Sequence, residues 1–461
     1  MSRIRIFIDF GSTFTKVVAF DLEKEELVAR VQAPTTVDTD IMTGLNDALR
    51  LLRETVDVTD EDIKNAVACS SAAGGLRMVC IGLVPEYTTE AGRLAALGAG
   101  AKVVGTFSYE MSRSEQRELE ELAPDIVLLT GGTDGGNKKN ILHNAEVLAR
   151  TGPGVRNIII AGNKSAHDDL HEIFDATDKN VVYTKNVMPE FGRLDIDPVN
   201  EMIRDMFISR ITEAKGITRV RDTIGSVVMP TPSAVLEAAR VLADGTYKEP
   251  GLGELMLVDV GGATTDVHSV AAGTPHQGGV AMVGLPEPYA KRSVEGDLGM
   301  FHNLDTLVDI AKQEGVEFEG EITDYGEVMA GLKKLLSIPK GDEQTHNQMM
   351  LARLAVKTAV NRHAGRIELQ YTRNGEVWLQ HGKDLTEIKT VIGAGGPLAF
   401  SADARYVLEG AARLNEPAAV LKPEKPQFWL DRRYILFAIG LLSLEDKDKA
   451  IRIFKKYMEK L

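Results

Sequence analysis

The chain is expected to adopt an α/β fold in two halves, each opening on a strand–turn–strand unit. Two stretches predict this, because they repeat one pattern. IFIDFGSTFTKVVAF (6–20) and LMLVDVGGATTDVHSV (255–270) each begin with an apolar run that ends in an aspartate, Asp9 or Asp259. A Gly and Ser/Thr cluster follows, and then a return to β-branched residues, which reads as a tight hairpin made twice. The third observation is VIGAGGPLAF (391–400), an apolar strand that runs through Gly393, Gly395 and Gly396 into Pro397 and a helical stretch. Between these segments strand-like and helix-like runs alternate, the mark of a mostly parallel sheet.

The residue types in the hairpins suit a polyphosphate. Gly11, Gly261 and Gly262 let the backbone approach an anion and permit positive φ without a Cβ penalty. Turn amides then form a small nest, and the hydroxyls of Ser12, Thr13, Thr264 and Thr265 add donors. Lys16, on the return strand, reaches a phosphate as a point charge. An aspartate at the end of a buried strand needs a polar partner. Beside a nucleotide phosphate that partner is Mg²⁺ held through its waters, so Asp9 and Asp259 are the metal and catalytic candidates. The Gly-Gly turn at 395–396, coming after two phosphate hairpins, reads as the adenosine site. It is expected at the surface, where a bulky residue at Gly395 would block the base without disturbing the fold.

In chain order, residues 1–34 read as three strands, the third being LVARVQAP, and GLNDALRLLRETV (44–56) as a helix. IKNAVACSSAAGGL (63–76) is a strand entering a small-residue turn. SEQRELEELAPDIVLLTGGTDGGN is a charged helix, a buried strand and a glycine-rich loop, and RNIIIAGN and NVVYTKNV are further strands. A Pro-rich break at Met229–Pro232 precedes the helix SAVLEAARVLAD, and VKTAVNRHAGRIE (356–368) reads as one helix with a solvated face. The expected organisation is a first lobe at 1–76, an α/β elaboration of it at 77–224, a second lobe at 225–400 and a C-terminal helical segment at 401–461.

Several acids are secondary candidates. Asp134 in TGGTDGGN (130–137) stands where an acid at a strand's C-terminal edge faces a ligand crevice, although a tight βα connection uses the same residues. Glu295 and Asp297 in RSVEGDLGM (292–300) suit water or magnesium positioning, or equally a capped turn before a helix. Asp266 follows the second hairpin at the re-entry to its strand, which also suits a structural role.

Composition narrows the classes. Lys and Arg number 53 against 67 Asp and Glu, a net charge of −14, and no basic patch with interleaved aromatics is visible, which argues against a nucleic-acid surface. Apolar residues make up 44%, enough for substantial cores. The apolar run Tyr434–Leu442 is too short to span a bilayer and reads as a buried helix. The N-terminus enters a strand at once, so no signal peptide is expected, and two cysteines, Cys69 and Cys80, fit a reducing cytoplasm.

With these motifs in this order, the chain resembles the actin, Hsp70 and sugar-kinase superfamily of ATPases. The resemblance implies a two-lobed ribonuclease H-like fold, ATP–Mg²⁺ between the lobes, and phosphate-1, phosphate-2 and adenosine motifs at the positions named above. Asp266 matches a second acid that follows phosphate 2 in many members. Within the superfamily, ACSSAAGGL, DIVLLTGGTDGGN and VEGDLGM together with the hairpins resemble the glutamate mutase accessory proteins called MutL or GlmL. That resemblance implies an ATP-dependent reactivating chaperone whose partner is a coenzyme-B12-dependent carbon-skeleton mutase. Two other classes share the fold. A small-molecule kinase needs a general base on its acceptor. A dehydratase activator needs cysteine ligands for an iron–sulfur cluster, which two cysteines supply only across a dimer. Nothing in the sequence sets the oligomeric state.

Overall fold

A computed structural model describes residues 4–11, 14–36, 40–71, 76–213, 220, 222–316, 331, 342–373, 375–413 and 419–461. The chain divides into two compact units, Met1–Val235 with Gly284–Pro288, and Leu236–Val283 with Tyr289–Leu461.

The first unit starts with β1 (Ile4–Phe10), β2 (Phe14–Asp21), β3 (Glu26–Pro34) and β4 (Val67–Ser70). Ile6, Ile8 and Phe10 alternate toward a core shared with the helix Ile41–Thr55, which buries Leu45, Ala48, Leu49 and Leu52 at helical spacing. Asp40 caps that helix by accepting from the Met42 N–H. The fifth strand, β10 (Ser226–Pro230), comes only after a long insertion and pairs parallel with β4. The sheet order is β10-β4-β1-β2-β3, antiparallel among β1, β2 and β3 and parallel from β1 outward through β4 to β10.

The insertion is a sheet of its own. Its strands are β5 (Arg77–Gly82), β6 (Lys102–Ser108), β7 (Ile126–Leu129), β8 (Asn157–Ile160) and β9 (Asn180–Tyr183), all parallel, in the order β6-β5-β7-β8-β9. Both faces are covered. Met78 and Cys80 of β5 point into one core, and Val79 and Ile81 into the other. Being buried on both sides, β5 shows no alternation, and its apolar run did not read as a central strand from sequence.

The second unit repeats the first topology. β11 (Leu255–Val260), β12 (Thr265–Val270), β14 (Ala290–Glu295), β17 (Thr390–Ala394) and β18 (Gln427–Leu430) form a sheet in the order β14-β12-β11-β17-β18, with β19 (Glu459–Lys460) at its edge. The first three strands are antiparallel and the next two parallel, as in the first unit. In both sheets the spatial order is third, second, first, fourth and fifth strand. This duplicated ribonuclease H-like sheet is the expected two-lobed, actin-like ATPase fold. A separate small sheet holds β13 (Val280–Val283), β16 (Gly375–His381) and β15 (Arg366–Thr372), in that order.

Three sequence expectations differ from this arrangement. The segment starting at 225 supplies β10 to the first sheet, so the units divide inside the helix Thr231–Asp244 rather than at 225. The C-terminal segment 401–461 is not helical throughout, because β18 and β19 extend the second sheet. The stretch 356–368 is not one solvated helix either. Its helix ends at His363 with Val356, Ala359, Val360 and His363 buried, and Arg366 begins β15.

His363 closes a buried polar knot in the second unit. Its two ring nitrogens each share a 2.8 Å hydrogen bond with a serine hydroxyl, Ser293 and Ser269. Lys291 Nζ donates to the His363 carbonyl at 2.7 Å, and Lys383 Nζ to the Tyr289 carbonyl at 2.7 Å. His268 lies nearby, 1% exposed, and its Nδ1 has no hydrogen-bond partner among the described residues. Burial, and then the Arg292 charge, pull the His268 ring down to about 3. The unfolded chain therefore takes up a proton at His268 that the folded chain refuses. Its contribution to stability is present above about pH 6.5 and is lost as pH falls toward 3. His268→Leu should flatten the fall of the unfolding free energy between pH 6.5 and 4 in urea titrations. An unchanged slope would mean that His268 is not kept neutral.

Candidate functional site

In the first unit three side chains converge on one carboxylate near the end of β1. Asp9 is 2% exposed and sits opposite Lys16 of β2 and Cys69 of β4 in register. Lys16 Nζ donates to Asp9 Oδ2 at 2.9 Å, and Thr231 Oγ1 to Asp9 Oδ1 at 2.6 Å. The Cys69 thiol lies 3.8 Å from Oδ1. Burial and then the Asp9 charge push that thiol up, so it stays protonated. The turn closes with Gly11 N donating to the Phe14 carbonyl at 3.1 Å, and Thr35 Oγ1 donates to the Gly11 carbonyl at 2.8 Å. Ser12 and Thr13 lie outside the described residues.

The second unit repeats this turn: Gly261 N donates to the Thr264 carbonyl at 2.9 Å. Glycine is favoured here by space rather than by φ, strictly at Gly11 and less so at Gly261. A Cβ on Gly11 would lie 2.7 Å from the Phe14 carbonyl oxygen, and one on Gly261 3.0 Å from that of Thr264. Of the motif glycines only Gly395 has positive φ, at 95°. Asp259 is half-buried at the end of β11, opposite Asp266 on β12 and Ala394 on β17.

The segment VEGDLGM proves to be the support of this second turn. The amides of Met300 and Phe301 donate to the carbonyls of Gly261 and Gly262 at 3.0 and 2.8 Å. Gly299 packs so closely that a Cβ would meet the Ala263 backbone at 2.3 Å. Thr265 takes part in the same support. It is fully buried and donates to the Leu298 carbonyl at 2.7 Å, because strand alternation turns it inward, away from any ligand. Thr264 Oγ1 donates to Asp266 Oδ2 at 2.9 Å.

The secondary acids are structural in this geometry. Asp266 is paired with the buried Arg292 at 2.6 Å. Arg362 clamps Glu295 at 2.7 Å and Asp297 at 2.8 and 3.0 Å, and these hydrogen bonds hold the Asp297 carboxyl below the usual range. Asp134 ties three loops of the inserted sheet. Its Oδ1 accepts from Asn186 Nδ2 at 3.0 Å and from the Lys164 amide at 3.1 Å, and its own amide donates to the Pro189 carbonyl at 3.0 Å.

The adenosine motif divides in the same way. Gly393 is a core position, where a Cβ would lie 2.7 Å from Leu408 Cδ1. Gly395 is buried against β11, so the expectation of an exposed turn there is corrected. A Cβ would lie 2.0 Å from the Val260 carbonyl oxygen and 2.7 Å from Asp259 Oδ1. Gly396 faces Tyr434, whose hydroxyl would be 3.1 Å from a Cβ. Tyr434 has φ 54° and its ring lies 5.9 Å from that of Phe400, which is 47% exposed. This aromatic pair beside Gly396 was not singled out from sequence, nor was Thr231. Left-handed backbone on a tyrosine costs about 1 kcal/mol or more and collects at ligand sites.

The MutL protein family matches residues 5–458 of the chain. The chain belongs to that family. Protein MutL of Clostridium tetanomorphum is 43% identical over 459 residues, covering 99% of each chain. Among solved structures, the chain is similar at 12% identity to the activator of the 2-hydroxyisocaproyl-CoA dehydratase from Clostridium difficile with bound ADPNP, covering 98% of this chain and 97% of that one with a TM-score of 0.33. It is similar at 11% identity to gluconate kinase from Lactobacillus acidophilus, covering 99% and 93% with a TM-score of 0.36. The cysteines do not suit an iron–sulfur cluster. Both are buried, and burial pushes the Cys80 thiol up to about 12. Among the described residues no helix is long and apolar enough to cross a membrane.

These contacts separate two glycine variants. Gly395→Val should destabilise the fold by more than about 3 kcal/mol, since the side chain meets backbone at a positive φ. Gly396→Ala should keep the melting temperature and weaken binding of a non-hydrolysable ATP analogue. Calorimetry and thermal unfolding check both. A stable Gly395→Val would contradict the packing described.

Proposed function

We propose that this chain binds ATP with Mg²⁺, hydrolyses it slowly, and uses the cycle to reactivate a coenzyme-B12-dependent carbon-skeleton mutase such as glutamate mutase. The observation that carries the ATPase reading is the repetition of one turn in two sheets that share the same five-strand order, each with an aspartate at the same place. The family membership carries the choice of partner class. Asp9 and Asp259 offer the hard carboxylate oxygens that suit magnesium. No cluster of three or more His, Cys, Asp or Glu side chains able to hold a metal occurs among the described residues. When bound, the ion neutralises phosphate charge.

The chain's own groups supply the rest. In the first unit the Lys16 ammonium receives a phosphate oxygen; in the second the glycine turn after Asp259 offers its remaining amides. Phosphate competes with Asp9 for Lys16, so nucleotide arrival frees Asp9 Oδ2. Half-buried Asp259 orients the attacking water. Gly396 with Tyr434 and Phe400 receives the adenosine. The inserted parallel sheet is what the chain adds to the shared fold, and it is the surface offered to the mutase.

Asp259→Asn should leave the fold intact and lower ATP turnover at least ~10²-fold, the scale for losing a preorganised electrostatic group. Turnover equal to wild type would remove Asp259 from the chemistry, and no heat on titrating a non-hydrolysable analogue would remove the ATPase reading. For the partner, inactivated mutase, fresh adenosylcobalamin, ATP, Mg²⁺ and this protein should together restore mutase activity, and omission of any one should abolish recovery. Failure with every such mutase of the source organism, with ADP release stimulated by a small alcohol or acid, would point to a kinase instead.

A further inference from the structure

The first turn of the helix Thr231–Asp244, entered directly from β10, touches both the Asp9 carboxylate and the inserted sheet. Thr231, half-buried, donates to Asp9 Oδ1 at 2.6 Å. Two residues on, Ser233 is 1% exposed and donates to the Ala99 carbonyl at 2.8 Å. Ala99 closes the helix Glu90–Gly98, whose Ala91, Ala95 and Ala96 lie in the core beneath β5. Gly100 follows at φ 87°, and a Cβ there would lie 2.7 Å from Ser233 Oγ and 2.8 Å from Pro230 Cβ, so the two segments are in direct contact. Pro230 and Pro232 flank Thr231 and stiffen the turn by fixing φ on either side.

We propose that Thr231 is a positioning residue for Asp9, and that the turn 230–233 carries the occupancy of Asp9 to the inserted sheet through Ser233 and Ala99. This rests on the nucleotide reading above. Asp9 has two arrangements, one with Lys16 on Oδ2 and one with Lys16 drawn away by phosphate. In both, Thr231 is the donor that keeps Oδ1 in place. When Lys16 leaves, the charge-assisted bond from Thr231 carries more of the load, and the stiff turn passes the shift to Ala99. The proposal makes the inserted sheet sensitive to the nucleotide without any ligand of its own.

The test uses the full-length protein with Thr231→Val, Thr231→Ser and Ser233→Ala. Steady-state hydrolysis and hydrogen exchange at 97–101, with and without a non-hydrolysable ATP analogue and Mg²⁺, are read together. In the wild type the analogue should change exchange at 97–101. Thr231→Val should abolish that change and lower kcat about tenfold with little change in KM, the size of one lost hydrogen bond to a charged group. Thr231→Ser should restore both. Ser233→Ala, which leaves Asp9 and Thr231 together, should keep kcat and lose the exchange response, and it decides the relay even if the valine variant does not fold. A response in Ser233→Ala equal to wild type, or a valine variant indistinguishable from wild type, overturns the proposal. So does a serine variant as impaired as the valine one. A wild type that binds no analogue overturns the nucleotide reading and this inference with it, whereas a wild type that hydrolyses ATP with no exchange change at 97–101 overturns this inference alone.

Discussion

The first unit is organised around a buried carboxylate. Removing the Asp9 charge from water is costly unless donors replace the lost hydration. Lys16 and Thr231 provide them, and each arrives from a different strand or its extension. Lys16 requires β1 and β2 in their observed register, Cys69 marks β4 alongside, and Thr231 requires β10 to end where it does. One anion thus ties together residues 9, 16 and 231, although more than 200 residues separate the first from the last. The inserted sheet can be long because its two ends return to neighbouring strands of this one sheet.

The second unit repeats the turn but not its electrostatics. Asp9 is enclosed, with both oxygens engaged. Asp259 is half-buried and crowded by Gly395 from the adjacent strand. The partner across the hairpin also differs: Lys16 faces Asp9, whereas Asp266 faces Asp259 and is itself turned to Arg292. The duplicated scaffold thus holds its two aspartates in unlike surroundings.

Supporting contacts explain why several polar residues that look chemical are structural. A glycine-rich turn exposes backbone groups that need partners. Residues 298–302 meet that need for the second turn, and Arg362 holds the acids that lead into it. In the inserted sheet Asp134 and Asn186 do the same for the TGGTDGGN loop. Turn-bracing acids and catalytic acids occupy the same sequence contexts, beside glycine and at strand ends, and they differ only in where their oxygens point.

The sequence by itself determined the α/β class, the two hairpins with an aspartate at the same place in each, and the strand-to-helix glycine turn, because these are local patterns read within about fifteen residues. Strands β5 and β10 were not legible, since a strand covered on both faces shows no alternation and one ending in proline resembles a break. Tertiary structure alone decided that Thr231 joins Asp9, that Phe400 and Tyr434 flank Gly396, and that Gly395 is buried against β11. Each of these is a contact between segments distant in sequence, set by which strands pair and in which register. It also decided which acids are spent, because a carboxylate's availability depends on the donors that the fold brings to it, and Arg292, Arg362, Asn186 and Lys164 all come from other elements.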